Sequence, residues 1–383
     1  GFTFADMHGE PYWDETSAYR FTLAQVETDI EDPATELHGM CREAVAGIVA
    51  SEELMERLCI PEAHRDMVAE SWAREHPEIY GRFDFAYDGT GPAKMLEYNA
   101  DTPTSLYESA SFQWKWLESQ LEAGVLEEGD DQFNGIHEAL VERFGALFAP
   151  GSDLHFTAVG GNPEDYATVE CMAWAAREAG LGAHYSDLER IGLSEEGQFV
   201  DHEDRVIGTL FKLYPWEDLL RDEYADRIRG AQCLMIEPAW KAVLSNKGIL
   251  PVLWRMFEGH PNLLPAFFEA DIADVMAGTG PPNPDIADAF ATRIDTDAQG
   301  RARGVTWREG STGSVHSAEA TVVVMAAGAI ESPRLWLNSQ LPNTNGWVGR
   351  GLTDHTLDMV VGIMPTDIGA SVGASSAARV DFP

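Results

Sequence analysis

A stretch rich in glycine, proline and aspartate interrupts the sequence at residues 271–290, which read "DIADVMAGTGPPNPDIADAF". Gly and Pro break helices and strands, so such a run between regions of regular patterning marks a linker or a junction. At 383 residues, the chain is too long for one average domain and long enough for two. The sequence therefore predicts two parts, residues 1–270 and 291–383, joined by residues 271–290.

The net charge is strongly acidic and unevenly divided between the two parts. Residues 1–270 hold 19 basic and 51 acidic residues, a formal charge of −32, and the remainder holds 7 and 13, a charge of −6. An acidic surface repels phosphate backbones and anionic lipid. The hydrophobic content of 44% is ample for packed cores. We expect a soluble globular protein with neither nucleic-acid nor membrane partners.

Cysteine spacing and the apolar runs indicate the compartment. The four cysteines are widely spaced and form no CxxC pair, which indicates neither a zinc site nor a disulfide framework. No charged-then-apolar leader opens the sequence, and its longest apolar run, around "VVVMAAGAI", is far below the roughly 20 residues that span a bilayer. We expect a cytoplasmic location. The sequence begins at Gly1 without Met, which is compatible with a fragment.

The pattern of residues 1–270 predicts an α/β domain. Apolar residues at helical spacing fill residues 14–76, where Pro33 and Pro61 separate several predicted helices. Later segments alternate between strand and helix patterns, from "LHFTAVG" and the helix "DYATVECMAWAAREAG" to the strands "RVIGTLFKLY" and "CLMIEPAW". Alternation of this kind is typical of an α/β fold.

Between these regions, "GRFDFAYDGTGPAKMLEYNA" predicts a β-hairpin, because two runs of period two flank a Gly/Pro-rich turn. The apolar face is predicted to hold Phe83, Phe85, Tyr87, Leu96 and Tyr98. The simplest register that unites this face sets Asp84 opposite Glu97. The same register sets Arg82 opposite Asn99.

Two carboxylates that face each other across a ladder destabilise it unless a cation lies between them. Arg82 supplies part of that charge. A hard divalent ion such as Mg²⁺, which prefers carboxylate and carbonyl oxygens, would supply it better. The pattern also fits a solvated polar face with one ion pair, so both interpretations stay open at this level.

Two further candidate binding residues are Ser105, just after the hairpin, and Lys247, later in the chain. Ser105, followed by Glu108, forms a capping-box pattern that predicts a helix from about Ser105 to Leu121. A helix N-terminus presents free N–H groups that can hold a carboxylate or phosphate, although most capping boxes only cap. Lys247 lies in a polar break between apolar segments, where it either meets a phosphate or is a solvated loop lysine.

Four stretches, "RFDFAYDG", "EYNADTPTSLYESASFQW", "FKLYPWE" and "EPAWKAVLSNKGILPVLW", together resemble the glutathionylspermidine synthase family, in its shorter bacterial branch without the amidase domain. The similarity runs through most of residues 1–270. It implies a helical and mixed α/β pre-ATP-grasp domain with a partial ATP-grasp-like fold. It also implies an activity in which ATP phosphorylates a carboxylate and an amine then displaces phosphate from the acyl phosphate.

The resemblance also implies roles for residues that match the family's motifs. Mg²⁺ would be held by Asp84, Glu97 and Asn99. The acid substrate or the transferring phosphoryl group would be contacted by Arg82 and Ser105. The acid and amine substrates would be small peptide-like or polyamine-like molecules. The amine would bind at Glu164 and Asp165. ATP would be contacted by Lys247.

The sequence departs from this family after "NLLPAFFE". There the family has a second ATP-gripping lysine and a Gly-containing phosphate loop, whereas this chain reads "DIADVMAGTGPPNPD". Half of the nucleotide clamp is therefore replaced, and we expect any ligase activity to be impaired.

Residues after 290 resemble an internal piece of a glucose-methanol-choline (GMC) oxidoreductase, through "IDTDAQGRARGV", "VVVMAAGAIESPRLWLNS" and "GWVGRGLTDH". That family binds FAD in a Rossmann-type domain. Here we predict a hairpin and one buried strand at "VVVMAAGAI", but the GxGxxG turn appears nowhere in the sequence, and "GTGPPN" at 278–283 lacks its third glycine. His355 is expected to be structural. We therefore expect an incomplete FAD-binding fragment that binds no FAD.

The leading interpretation is an ATP- and Mg²⁺-dependent carboxylate–amine ligase with impaired activity. Its junction near residues 271–290 would arise by gene rearrangement or sequence misassembly. The alternatives are an FAD-dependent oxidoreductase and a non-catalytic chimeric protein.

Overall fold

A computed structural model describes residues 18–350, apart from residues 133, 278–288, 310–312, 326–327, 345, 347 and 349. The chain divides into two compact units between Phe268 and Glu269. The "GTGPPN" stretch and His355 lie outside the described residues. No helix in the described part of the chain is long and apolar enough to cross a bilayer.

The first unit contains helices and strands in a mixed order. Its helices are α1 (Asp32–Val49), α2 (Glu52–Arg57), α3 (Arg65–Ala73), α4 (Gln113–Glu122), α5 (Ile136–Leu147), α6 (Pro163–Glu178), α7 (Trp216–Leu219), α8 (Ala225–Ile228) and α9 (Ile249–Met256). Its strands are β1 (Arg82–Ala86), β2 (Lys94–Asn99), β3 (Asp153–Ala158), β4 (Gly182–Tyr185), β5 (Gly192–Leu193), β6 (Phe199–Val200), β7 (Thr209–Leu213) and β8 (Leu234–Ile236). Single π-helical segments, Gln25–Glu31 and Glu108–Phe112, lead directly into α1 and α4.

Helix α1 is the longest element of the helical layer, and its buried residues recur at helical spacing, among them Leu37, Cys41 and Ile48. The prediction that Pro33 separates two helices is wrong, because helical backbone continues from the π-helical segment into α1. Pro33 occupies the first turn of α1. A proline is tolerated there because its fixed φ suits the first helical turn.

A four-stranded parallel sheet in the order β4-β3-β7-β8 forms the centre of the first unit. One face packs against α5 and α6, around Phe144 and Phe156. The other face packs against the helical layer. Neighbouring residues Leu210 and Phe211 of β7 belong to opposite cores, as the alternation of a strand requires. This architecture confirms the predicted α/β class.

Strands β1 and β2 form the predicted hairpin, and its register near the polar residues is confirmed. Asp84 lies opposite Glu97, and Arg82 lies opposite Asn99. On the buried side, the ring of Phe83 stacks on its cross-strand partner Tyr98 with centroids 3.9 Å apart.

The hairpin register shifts by one residue immediately after Asp84, so that Phe85 pairs with Met95. This is a β-bulge, in which one extra residue reverses the alternation of the strand beyond it. The prediction that Leu96 lies on the apolar face is wrong, because Leu96 is 46% exposed, whereas Met95 is buried. The N–H of Met95 donates to the carbonyl of Asn262, at 2.8 Å, which explains why the strand leaves its regular ladder there.

The second unit contains an antiparallel sheet. Its elements are α10 (Glu269–Ala277), β9 (Ala289–Thr296), β10 (Ala302–Glu309), β11 (Val315–Glu319) and α11 (Gly328–Asn338), with strand order β11-β10-β9. The hairpin predicted at "ATRIDTDAQGRARGVTW" is confirmed by the β9–β10 pair. Ile294 of β9 and Leu335 of α11 are buried, and the N–H of Ile294 donates to Ser339 Oγ at 2.7 Å.

Residues 271–277, which the sequence places in a linker or junction, form most of the helix α10. Residues 322–325, assigned to a buried strand, form no strand, and Val322 and Val324 are 73% and 82% exposed. A strand needs hydrogen-bonding neighbours, and the sheet that the described residues of this unit form consists of β9, β10 and β11.

Candidate functional site

The polar, partly exposed face of the hairpin holds four of the predicted site residues. On β1, Arg82 Nε donates to Asp84 Oδ1 at 2.8 Å. On β2, Asn99 Nδ2 donates to Glu97 Oε1, also at 2.8 Å. Each strand therefore holds its own carboxylate through the residue two positions away, and the cross-strand register brings the two carboxylates together.

Lys247, which precedes α9, joins this cluster from a distant part of the chain. Its Nζ donates to Glu97 Oε2. The hydrogen bond from Lys247, followed by that from Asn99, lowers the pKa of Glu97 to about 2. Glu97 is therefore ionised at neutral pH. The Lys247 side chain remains 71% exposed, so a ligand can reach it.

The donor set at this face fits a hard cation. It offers the carboxylates of Asp84 and Glu97 and the amide oxygen of Asn99, which are the ligand types that Mg²⁺ prefers. Among the described residues, no group of three or more His, Cys, Asp or Glu is placed to hold a metal ion. The set therefore suits an ion that takes the rest of its shell from water and substrate oxygens, as Mg²⁺ commonly does.

Ser105 lies directly before the helix that ends at Glu122, but the capping-box prediction is wrong. Its φ of 66° is in the left-handed region, whereas an N-cap residue takes an extended conformation. The carbonyl of Ser105 instead accepts from Ser109 Oγ at 2.7 Å. Arg82 Nη1 donates to the carbonyl of Thr104 at 3.2 Å, which ties this turn to the hairpin face.

Glu164 and Asp165 occupy the first turn of α6. The cap of this helix is Asn162, a residue not predicted to have a role. Its Oδ1 accepts from the N–H groups of Glu164 and Asp165, at 3.0 and 3.4 Å. Burial raises the pKa of both carboxyls, and the charge of Glu108 adds to the effect at Glu164 while Arg82 opposes it. Glu164 is thus within electrostatic reach of the hairpin face.

A buried charged network behind the hairpin was missed by the sequence reasoning. Lys212 Nζ donates to Asp101 Oδ1 at 2.6 Å, and Lys241 Nζ donates to Glu237 Oε2 at 2.7 Å. All four side chains are 3% exposed or less. The available signal was a lysine inside an apolar strand, in "TLFKL", because a buried charge requires a partner.

This network fixes the backbone at the start of the hairpin. The Glu237 carboxylate accepts from the N–H groups of Ile79 and Tyr80, at 3.1 and 3.2 Å. Lys241 Nζ donates to the Tyr80 carbonyl at 2.7 Å. The position of Arg82, two residues further on, is therefore set by buried charges.

The end of the hairpin is fixed in the same way. The hydroxyl of Ser245 accepts from the N–H groups of Ala100 and Asp101, at 3.1 and 2.8 Å. The carboxylate of Asp101 in turn binds Lys212 and the N–H of Trp216. Both ends of the polar face thus rest on the core.

Each part of the sequence matches a known family. Residues 1–281 match the family profile described as glutathionylspermidine synthase preATP-grasp. Because that match covers most of the sequence, the chain belongs to the glutathionylspermidine synthase family. Residues 283–357 match the profile of the GMC oxidoreductases. Both resemblances inferred from the sequence are confirmed.

Individual relatives are ligases by name. A protein of Haemophilus influenzae assigned as an acid–amine ligase is 44% identical over 275 residues, 70% of this chain and 68% of the relative. The trypanothione synthetase of Crithidia fasciculata is 29% identical, over 61% of this chain and 39% of the relative. The bifunctional glutathionylspermidine synthetase/amidase of Escherichia coli is 25% identical, over 76% of this chain and 50% of the relative. The chain thus spans half or less of the last two proteins.

Proposed function

We propose that the first unit binds Mg²⁺ and ATP at the hairpin face and serves to join a carboxylate to an amine. One observation carries this proposal: Asp84 and Glu97 lie opposite each other on a partly exposed face, with Arg82 and Lys247 beside them. Carboxylates and cations in that arrangement suit phosphoryl transfer, in which negative charge on phosphate oxygens must be neutralised. Family membership and the names of the relatives support the same reaction class.

The metal role falls to Asp84, Glu97 and Asn99. When bound there, Mg²⁺ would offset the charge that develops on the transferring phosphoryl group. Lys247 would contact the phosphates of ATP with its exposed ammonium group. Its present partner, Glu97, would then be held by the ion, so the lysine is free to change partners.

The two substrates would meet on either side of this centre. Arg82 and Ser105 would hold the acid substrate or the phosphoryl group, Arg82 through its guanidinium and Ser105 through its hydroxyl. Glu164 and Asp165 would hold the cationic amine. Because burial raises the pKa of both carboxyls, each is a better proton acceptor than an exposed carboxylate when the amine attacks.

We further propose that turnover is impaired although metal binding survives. The metal residues and Arg82 lie in the hairpin and Ser105 follows it, whereas the sequence departs from the ATP-binding pattern only after "NLLPAFFE". The GMC match over residues 283–357 raises an FAD-dependent oxidoreductase as the alternative function. We propose that this piece binds no FAD, because the sequence contains no GxGxxG turn to hold the pyrophosphate. A non-catalytic protein is the remaining alternative.

Glu97→Ala is expected to abolish Mn²⁺ binding, because it removes one of two facing carboxylates. Isothermal calorimetry of the full chain with MnCl₂ measures this directly. Glu196→Ala, which removes an exposed carboxylate in the β5–β6 turn, is the matched control and should bind Mn²⁺ as the native chain does. Unchanged Mn²⁺ binding by Glu97→Ala would overturn the metal assignment.

The same preparation separates the three functions. ATP hydrolysis stimulated by a thiol peptide together with a polyamine supports the ligase, and its rate relative to an intact family member measures the impairment. A flavin absorption spectrum in the purified chain supports the oxidoreductase instead. Mn²⁺ binding without either signal indicates a protein that keeps the metal site but catalyses neither reaction.

A further inference from the structure

A cavity of about 530 Å³ lies on the side of the first unit opposite the carboxyl ends of its parallel strands. Gly208, just before β7, and Leu234, at the start of β8, line it together with α3 and residues 228–239. The polar side chains around it are Glu70, Ser71, Arg74, His76, Arg229 and Gln232. None of the hairpin residues described above contributes to it.

Ser71 gives the first indication of a ligand. Its side chain is 2% exposed, and its hydroxyl has no hydrogen-bond partner in the described structure. A serine within a helix usually donates to a carbonyl one turn earlier, so an unpaired buried hydroxyl is unusual. Such a group costs stability, and Ser71 is one of the residues that line this cavity, where a bound molecule can supply the missing partner.

The charges around the cavity give the second indication. Arg229 Nη2 lies 3.0 Å from Glu70 Oε2, and Arg74 pairs with Oε1 of the same carboxylate. One carboxylate thus serves two guanidinium groups, each of which has five N–H donors, so donors remain available. The two arginine side chains are 61% and 66% exposed. This cluster is positive by one charge on a chain whose formal charge is −38.

The shape of the cavity limits the ligand. Its buried wall is apolar, formed by Trp216, Ile228 and Met235. Ser71 of α3 and Arg74, the residue at the C-terminal cap of that helix, are three positions apart, so they lie on one face. A ligand that accepts hydrogen bonds from Ser71 and Arg74 and also covers the apolar wall must carry an acceptor at one end and an apolar body at the other.

We propose that this cavity binds a small organic carboxylate with an apolar body. The carboxylate accepts from Arg74 and Arg229, which match its planar geometry. The Ser71 hydroxyl donates to the same group or to a neighbouring oxygen of the ligand. A single carboxylate charge balances the single positive charge of the cluster, and the apolar body covers the wall formed by Trp216.

Benzoate is the probe, titrated into the full chain by isothermal calorimetry in 0.15 M NaCl. Arg229→Met should weaken binding about tenfold, since charge-assisted hydrogen bonds contribute at least that much. Ser71→Ala should weaken binding about threefold while the melting temperature stays equal or rises, because the variant removes an unpaired hydroxyl. Arg177→Met, which breaks an exposed Arg–Glu pair on α6, is the matched control and should bind benzoate normally.

Three results would overturn the proposal: no benzoate binding by the native chain, equal binding by Arg229→Met, or binding of inorganic phosphate in preference to benzoate. If Arg229→Met proves unfolded by circular dichroism, Ser71→Ala decides the matter. Its hydroxyl makes no bond within the described structure, so weaker binding by a folded Ser71→Ala reports contact with the ligand.

Discussion

At the scale of single residues, the hairpin face keeps two like charges together by giving each its own cation. Arg82 pairs with Asp84, and Lys247 pairs with Glu97. The two cations are also the groups that we assign to the substrate and to ATP. A divalent ion between the carboxylates would therefore release both cations toward anionic ligands, so metal and substrate binding should support each other.

Lys247→Met is expected to raise the pKa of Glu97 from about 2 toward its ordinary value of 4.5, because the hydrogen bond from Lys247 is the largest cause of the shift. Carboxyl-carbon NMR during a pH titration measures this pKa. Because the pKa of Glu97 is lower in the folded state than its ordinary value, its ionisation stabilises the fold above pH 4.5, and this stabilisation is lost as the pH falls toward 2.

Lys94→Met provides the matched control for this titration. Lys94 lies on the same strand, but its ammonium group donates to the carbonyl of Pro261 and not to Glu97. The pKa of Glu97 should stay near 2 in that variant. A Glu97 pKa that does not move in Lys247→Met would show that the lysine is an unpaired loop residue in solution.

At the scale of elements, the hairpin is held at both ends by buried charge. Glu237 and Lys241 bind the backbone before β1, while Asp101 and Ser245 hold the backbone after β2. A surface hairpin with a partly exposed sheet would otherwise be free to bend relative to the core. The network explains how the partly exposed side chains of the hairpin face keep a fixed geometry.

Lys241→Met should lower the free energy of unfolding by about 3–5 kcal/mol, because it leaves the fully buried carboxylate of Glu237 without its cation. Urea denaturation measures the change. Lys247→Met, which breaks an exposed pair, should cost less than about 1 kcal/mol in the same assay. Adding Glu237→Gln to Lys241→Met should recover part of the loss. Equal effects of the two lysine variants would contradict this account.

The elements that the sequence predicted well are those with a local signal. Helix α6 and strands β3 and β7 have clear periodicity, and the charged pairs of the hairpin follow from alternation. The bulge at Leu96 could not be predicted, because it depends on the carbonyl of Asn262, far away in the chain. The pairing of Lys212 with Asp101 spans 111 residues and is likewise a property of the tertiary fold.

At the scale of the whole molecule, the two units differ in how much apolar surface their described residues cover. The first unit contains two large buried clusters. In the second unit, every residue of β11 is exposed, and so are Val322 and Val324. An exposed strand edge and unpaired valines favour association with other chains and give proteases access.

Limited trypsin digestion is therefore expected to cleave after residue 270 before it cleaves within residues 18–268. Cleavage sites are identified by mass spectrometry of timed samples. The surviving core should keep Mn²⁺ binding, since the hairpin and Lys247 lie within it. A protease-resistant fragment from residues 289–350, or FAD that copurifies in equal amount with the chain, would show that the second unit is a complete domain.

The core of the first unit is complete by Phe268, since its two buried clusters and the residues packed against them all precede Glu269. This has a consequence for synthesis on the ribosome, where domains fold as units and the N-terminal domain folds first. Every residue of that core has been translated before the first residue of the GMC match is added. The nascent first unit can therefore fold before the piece that follows is complete.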